Sequence, residues 1–259
     1  ETVQQIPLCA VVVTYFPSAT QTQALSGWLP VFDMLIVVDN TPASAANDAL
    51  ALDNLASHER ARVIRNRDNL GIAAALNIGV QTAQSLGFRW VATFDQDSRP
   101  SSAVADFFHR FLQSGLSKEK VGVLGVNYIN ANNGRPGVML DPASAELAEV
   151  RTVITSGSLL NLRCYEMIGG FCEKYFIDMV DTEYCYRARK NGYVILVSSL
   201  PLMEHSVGTL QKIRLLGREF AFSQHSPLRQ YYIFRNTLYM VKQYWAFDLW
   251  GCLQLLAIY

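Results

Sequence analysis

Residues 90–98, Trp90-Val-Ala-Thr-Phe-Asp95-Gln-Asp97-Ser98, constrain this chain more than any other stretch. A short apolar run rich in strand formers ends in two carboxylates separated by one residue. The run predicts a buried strand, with the acids just past its carboxyl end. In an open parallel sheet, ligands bind along that edge. Two acids at this spacing suit a hard divalent cation, which prefers oxygen ligands and often bridges phosphates. Asp and Ser are also ordinary turn residues, so the pair by itself says little. Its meaning depends on what else the chain brings to the same edge.

The first hundred residues alternate strand and helix patterns. Leu8 to Thr14 is a β-branched run that predicts a central strand. A helix is expected from Ser18 to Trp28, capped by Ser18 and stopped near Pro30. Met34 to Val38 is a second strand that also ends in an acid, Asp39. Ala43 to Ser57 is Ala/Leu-rich and helical, Arg62 to Ile64 is a short third strand, and Gly71 to Leu86 is another helix. Arg89 to Phe94 is the fourth strand. This order argues for a parallel sheet with right-handed crossovers, and two of its strands deliver acids, Asp39 and Asp95, to one edge. Before the third helix, Asn69 is a good N-cap, and the small residues at 71, 73, 74 and 75 allow close approach. A helix start with free amides suits an anionic ligand; a capped helix packed closely on the sheet accounts for the same residues equally well.

Val121 to Val126 predicts a fifth strand. Residues 127–150 are polar and aperiodic, as expected of a long functional loop. Residues 152–158 return to a strand and a small-residue turn, followed by Gly169-Gly170-Phe171. A helix is then expected from near Asp181 to Gly192. Acids in its first turn and basic residues in its last complement the helix dipole. That does not account for three acids, Asp178, Asp181 and Glu183, within six residues.

Charge narrows the function. The 259 residues are 50% hydrophobic and 17% charged, with zero formal net charge, which gives a sizeable core and argues against a nucleic-acid partner. From Arg187 onward there are nine Lys/Arg against three acids, so this part is suited to phosphates or an anionic membrane surface. Five scattered cysteines without metal-site spacing predict reduced, buried thiols and a cytosolic setting. Leu8 to Val13 is too short for a secretory leader. Residues 245–259 are apolar but too short to span a bilayer. Lys212, Arg214 and Arg218, interleaved with Ile213, Leu215, Leu216 and Phe220, suggest a basic amphipathic surface helix that rests on the membrane; packing of residues 226–259 on the sheet as core helices is the alternative.

Taken in order, these features resemble glycosyltransferase family 2. The resemblance rests on the first strand, Asp39, the run Asn69-x-Gly71-x-Ala73-x-Ala75-x-Asn77-x-Gly79, the Asp95-Gln96-Asp97-Ser98 turn, Gly169-Gly170-Phe171 and the acidic Asp181-x-Glu183-x-x-x-Arg187 helix start. It runs from about Leu8 to His205. Within the family, the Asp-Gln-Asp-Ser turn and His225-Ser-Pro227-x-x-x-Tyr231-Tyr-x-x-Arg235-Asn236 are most like bacterial rhamnosyltransferases that build surface polysaccharides.

The resemblance implies an inverting enzyme with the α/β GT-A fold: a mainly parallel central sheet flanked by helices, with a helical C-terminal extension. Its expected parts are a glycosyltransferase domain over residues 1–210 (1–126 for the nucleotide-sugar, 127–210 for acceptor and catalysis) and a basic, apolar region over 211–259. Thr14, Asp39, Asn69, Asp95 and Asp97 would bind the nucleotide-sugar, with Asp39 at the base and Asp95 by the ribose. Asp97 and His205 would hold Mg²⁺ or Mn²⁺. Asp181 matches the catalytic base. The preceding position, usually Glu in the family, is Val180 here, which leaves Asp178 and Glu183 as neighbouring alternatives. The donor expected is dTDP-rhamnose, the acceptor a saccharide or lipid-linked saccharide, and the location the inner face of the cytoplasmic membrane. A UDP-linked donor and an inactive nucleotide-sugar-binding module are the alternatives. The loop after the first strand has no glycine, unlike a pyrophosphorylase, and no G-x-G-x-x-G follows a strand, unlike a nicotinamide dehydrogenase.

Overall fold

Eight strands form one sheet in the order β3-β2-β1-β4-β7-β5-β8-β6. The structure, a computed structural model, describes residues 6–44, 49–98, 101–140, 145–205, 209–215, 218–224 and 226–258. The expected first half is present: β1 (Cys9–Thr14), α1 (Ala19–Ser26), β2 (Met34–Asp39), α2 (Ala49–Ala56), β3 (Ala61–Arg65), α3 (Ile72–Ser85) and β4 (Trp90–Asp95). These strands pair in parallel. Ser18 caps α1 through a complete capping box with Gln21. The second half is α4 (Ser102–Gln113), β5 (Val121–Asn130), β6 (Leu147–Val150), β7 (Ser158–Asn161), α5 (Leu162–Ile168), a 3₁₀ turn over Glu173–Tyr175, α6 (Val180–Lys190) and β8 (Val194–His205).

β5 pairs with β8 in parallel, whereas β7 runs antiparallel to both β4 and β5, and β6 is antiparallel to β8. The sheet is therefore mixed, with its parallel half carrying the acids. The strand expected over 152–158 begins only at Ser158, and the irregular stretch expected over 127–150 is shortened at both ends by β5 and β6.

β1 is buried throughout, and its side chains alternate between two cores. Cys9, Val11 and Val13 pack with α3 and α6, while Leu8, Ala10 and Val12 pack with Trp28, Phe94 and Phe108. The small residues of α3 serve this packing: Ala73 and Ala75 are fully buried, and a Cβ on Gly79 would lie 2.4 Å from Val11 Cγ1. The five cysteines are free, and four of them are buried.

The C-terminal region differs from expectation. Thr209–Leu215 and Arg218–Gln224 form β9 and β10, an antiparallel hairpin, where an amphipathic helix was expected. Leu216 and His225, both named above, lie outside the described residues. Beyond the hairpin, α7 (Pro227–Tyr244) and α8 (Leu249–Ile258) are helical as expected. They pack into the α3-side core through Met240, Tyr244 and Cys252. Their other faces carry exposed Leu228, Phe234, Trp245 and Trp250. No helix among the described residues is long and apolar enough to cross a membrane.

Candidate active site

Parallel register brings the first acids together. Thr14 lies opposite Asp39 and Val13 opposite Asp95, so β1, β2 and β4 end at one edge. The chain then turns over residues 95–98, closed by Ser98 N–H donating to the Asp95 carbonyl at 3.0 Å. Gln96 Oε1 accepts from Tyr15 N–H at 2.7 Å, which ties this turn to the loop after β1.

Asp95 and Asp97 open onto different spaces. Asp97 lines a cavity of ≈ 690 Å³ with Ser101, Ile129, Met203, Glu204 and His205. Asp95 lines another of ≈ 390 Å³ with Thr14, Asn40, Asn69, Phe176 and Arg229. Asp181, at the start of α6, sits in a narrow recess with Thr93 and Thr155. The three acids form one electrostatic group. Burial first, then the charges of Asp97 and Asp181, push the Asp95 carboxyl up to about 7. Burial also raises Asp181, against the N–H donors of Thr182 (2.7 Å) and Thr155 (3.1 Å) that favour its charged form.

His205 joins this group from the end of β8, where it pairs in register with Asn130. Its ring meets Tyr128 edge-on at 5.3 Å between centroids. Burial lowers its pKa against the pull of Asp97 and Asp181, which favours the neutral imidazole that binds metals. Among the described residues no cluster of three or more His, Cys, Asp or Glu is arranged around a metal position. Asp97 and His205 supply two donors facing one cavity. That number fits a Mg²⁺ or Mn²⁺ ion completed by substrate phosphates and water.

Asn69 does not serve as the expected helix cap, and Asp39 is tied to the neighbouring strand ends. Asp39 is buried, and its Oδ1 accepts from Thr14 Oγ1, Thr41 Oγ1 and Thr41 N–H. It orders the strand ends, while its neighbours Thr14 and Asn40 line the cavity. Asn69 does not cap α3: Gly71 occupies the cap at φ 83°, and Asn69 Oδ1 accepts from Gly71 N–H instead. The next amide, Ile72 N–H, donates to the Phe176 carbonyl at 2.6 Å. These two amides are therefore engaged by protein groups, not free as a helix start open to an anion requires. A Cβ on Gly71 would clash with Phe176 at 2.5 Å, so only glycine permits this close approach.

The alternatives to Asp181 are occupied. Glu183 is 1% exposed and held by Arg187 (2.8 and 2.9 Å) and by Tyr244 O–H at 2.7 Å. Arg187 also donates to the carbonyls of Ile168, Gly169 and Gly170, each at 2.7 Å. The Gly-Gly and Glu–Arg features of the sequence are thus structural. Asn77 has the same role, bonding Phe171 and Glu173. Val180 lies in the core. Asp178 is gripped by Arg229 at 2.9 to 3.1 Å.

That grip belongs to a set of contacts that sequence reasoning missed. Residues 174–178 connect the 3₁₀ turn to α6, and α7 holds them. Asn236, fully buried, donates to the carbonyls of Tyr175, Ile177 and Asp178. Arg235 donates to those of Lys174 and Tyr175. Tyr232 stacks on Phe176 at 5.0 Å. Phe176, Asp178 and Met179 all have φ near +60°, a left-handed backbone that non-glycine residues adopt only under outside constraint. The Tyr231 to Asn236 motif signalled the region but not what it touches.

Residues 20–131 match glycosyl transferase family 2. Over 247 residues the chain is 29% identical to the dTDP-rhamnosyl transferase RfbF of Shigella flexneri, covering 90% of this chain and 79% of that protein. Among solved structures, S. aureus TarS 1–349 in complex with UDP is similar at a TM-score of 0.58 and 18% identity, covering 78% of this chain and 61% of that one. The mannosyltransferase PcManGT of Pyrobaculum calidifontis, in complex with GDP-Man and Mn²⁺, is similar at a TM-score of 0.54 and 16% identity, with 77% and 58% covered. The chain thus spans about 60% of the length of these solved proteins. At such identities the likeness shows the fold, that of GT-A glycosyltransferases, and the acid turn, which falls within the matched residues 20–131, lies at the carboxyl edge of the parallel half.

Proposed function

We propose that the protein is an inverting glycosyltransferase that moves L-rhamnose from dTDP-rhamnose to a saccharide or lipid-linked saccharide in bacterial surface polysaccharide synthesis. The observation that carries this reading is the charge-coupled group Asp95, Asp97 and Asp181, set between two cavities at the carboxyl edge of the parallel strands. The likeness to a dTDP-rhamnosyl transferase over most of the chain supports the choice of donor.

In this reading Asp181 takes the proton of the acceptor hydroxyl. That oxygen bonds to the anomeric carbon from the face opposite the leaving group, and the carbon–oxygen bond to the diphosphate breaks with its electron pair on the phosphate oxygen. The nucleoside diphosphate is a good leaving group, so one base suffices, whereas a glycosidase needs an acid and a base. Asp97 and His205 would hold the divalent ion, which supplies charge to stabilise the leaving diphosphate. Thr14, Asn69 and Asp95 bind the nucleoside part of the donor, and Asp39 acts behind them by ordering Thr14. Burial and the N–H donors of Thr155 and Thr182 hold the Asp181 carboxylate in one orientation.

The exposed apolar faces of α7 and α8 rest on the cytoplasmic membrane surface, near a lipid-linked acceptor. The test of the reaction is release of nucleoside diphosphate from a panel of nucleotide sugars, with acceptor extract, in Mg²⁺, Mn²⁺ or EDTA. Turnover of dTDP-rhamnose that is lost in EDTA and restored by Mn²⁺ is expected. Turnover only with a UDP-sugar would replace the donor, and binding without turnover of any donor would leave a nucleotide-sugar-binding module.

A further inference from the structure

The cavity beside Asp95, read above as taking the nucleoside end of the donor, presents an electrostatic problem for the diphosphate attached to it. A nucleoside diphosphate carries two to three negative charges, yet the acid group around this cavity is itself negative. Across the cavities lined by Asp95, Asp97 and Asp181, Arg229 is the only Lys or Arg among the described lining residues. Its charge reaches Asp95. Its side chain is 46% exposed, and it pairs with the largely buried carboxylate of Asp178.

We propose that Arg229 binds the diphosphate of the donor, and that Asp178 competes with that diphosphate for the same guanidinium. The inference rests on the nucleotide-sugar reading above. Asp178 meets the guanidinium with both carboxylate oxygens: Nε lies 3.0 and 3.1 Å from them, and Nη2 lies 2.9 Å from Oδ1. That fork geometry suits a phosphate equally well. Asp178 is only 15% exposed against 46% for Arg229, so the exchange leaves a largely buried carboxylate without its partner, a cost that the contacts of the diphosphate have to exceed. Arg229 lies in the first turn of α7, and Tyr232, three residues further, stacks on Phe176 at the same cavity.

The exchange has a consequence on the acceptor side. Asp178 lies three residues before Asp181, in the left-handed turn that opens α6. Its negative charge already raises the proton affinity of Asp181. Once Arg229 turns to the diphosphate, Asp178 is no longer neutralised and acts more strongly on Asp181. Donor binding thereby makes the base stronger.

Calorimetric titration of dTDP, UDP, thymidine and uridine in Mg²⁺, into the wild type and the variants Arg229→Gln, Arg229→Lys and Asp178→Asn, tests this. Asparagine tolerates the left-handed backbone at 178, so Asp178→Asn removes charge without disturbing the turn. Arg229→Gln is expected to weaken the preferred diphosphate by roughly 10- to 100-fold, with nucleoside affinity unchanged. Arg229→Lys should recover part of that loss, and Asp178→Asn should tighten diphosphate binding by about 3- to 10-fold. Equal weakening of diphosphate and nucleoside by Arg229→Gln would overturn the proposal. So would weakening of the diphosphate by Asp178→Asn, since the pair would then be purely structural. If the wild type bound no nucleotide at all, the donor reading would fall, and this one with it. Melting curves of each variant guard against misfolding, and Arg229→Lys keeps the test decisive if the Gln variant is unstable.

Discussion

Replacing Asp95 by Asn should make the metal-free, nucleotide-free protein more stable at neutral pH. Burial and the charges of Asp97 and Asp181 move this carboxyl from 3.8 to about 7. In the unfolded chain it ionises near its ordinary value. Between pH 4 and 7 the unfolded state therefore loses a proton that the folded state keeps, and stability falls as pH rises. Three pH units correspond to a ceiling of about 4 kcal/mol. Asp95 is not fully shielded from water in the folded chain, so about 2 kcal/mol is expected. Asn does not titrate, so the stability difference between variant and wild type should be near zero at pH 4, grow to pH 7 and level off above it. Urea denaturation of both proteins in EDTA at pH 4, 5.5, 7 and 8.5 measures this directly. A difference that did not change with pH would refute the assignment of Asp95 as a carboxyl strained by burial and neighbouring charge. The same substitution should weaken donor binding, so that stability is gained where function is lost.

Three further outcomes are expected. Asp181→Asn should keep donor affinity while lowering turnover by roughly 10² to 10⁴; in the wild type, kcat/KM should fall as pH drops through a pKa above the ordinary carboxylate range, because the base must be ionised and burial raises it. Glu183→Gln should cost about 3 kcal/mol in urea titrations, because it leaves the partly buried Arg187 without its counter-charge while an amide oxygen can still accept from Tyr244 O–H; unchanged stability with lost turnover would instead make Glu183 the base. Phe234→Glu with Trp250→Glu should abolish co-sedimentation with anionic liposomes without altering the melting temperature, as both side chains are exposed; equal recovery of wild type and variant in the supernatant would remove the membrane from the reading.

The parallel half of the sheet was legible because each of its strands carries its own signal. The apolar runs at β1, β2 and β4 are buried on both faces and bounded by polar turns, and acids end two of them. Ser18 and Gln21 announce α1 through a purely local bond pattern. Asp95, Asp97, Asp181 and His205 were legible as candidates by residue type and order. The hairpin β9–β10 was misread because basic and apolar residues interleaved over so few positions satisfy a helical and an alternating pattern alike. Antiparallel pairing from Thr209↔Gln224 to Leu215↔Arg218 decides between them.

The amino-acid sequence by itself determined the strand–helix order, the edge to which the acids belong and the reduced state of the thiols. Each follows from interactions between residues close together in the chain, or from residue type alone. Only the tertiary structure decided which acids remain available for chemistry. Glu183 is consumed by Tyr244, 61 residues away, and Asp178 is held by Arg229, 51 residues away, while Asp39 is turned to ordering Thr14 across β1 and β2. Such partners meet only after the sheet forms and α7 folds back over the 174–178 segment. No local pattern encodes them, because the free energy of these contacts comes from desolvating and pairing groups that the chain keeps far apart until it folds.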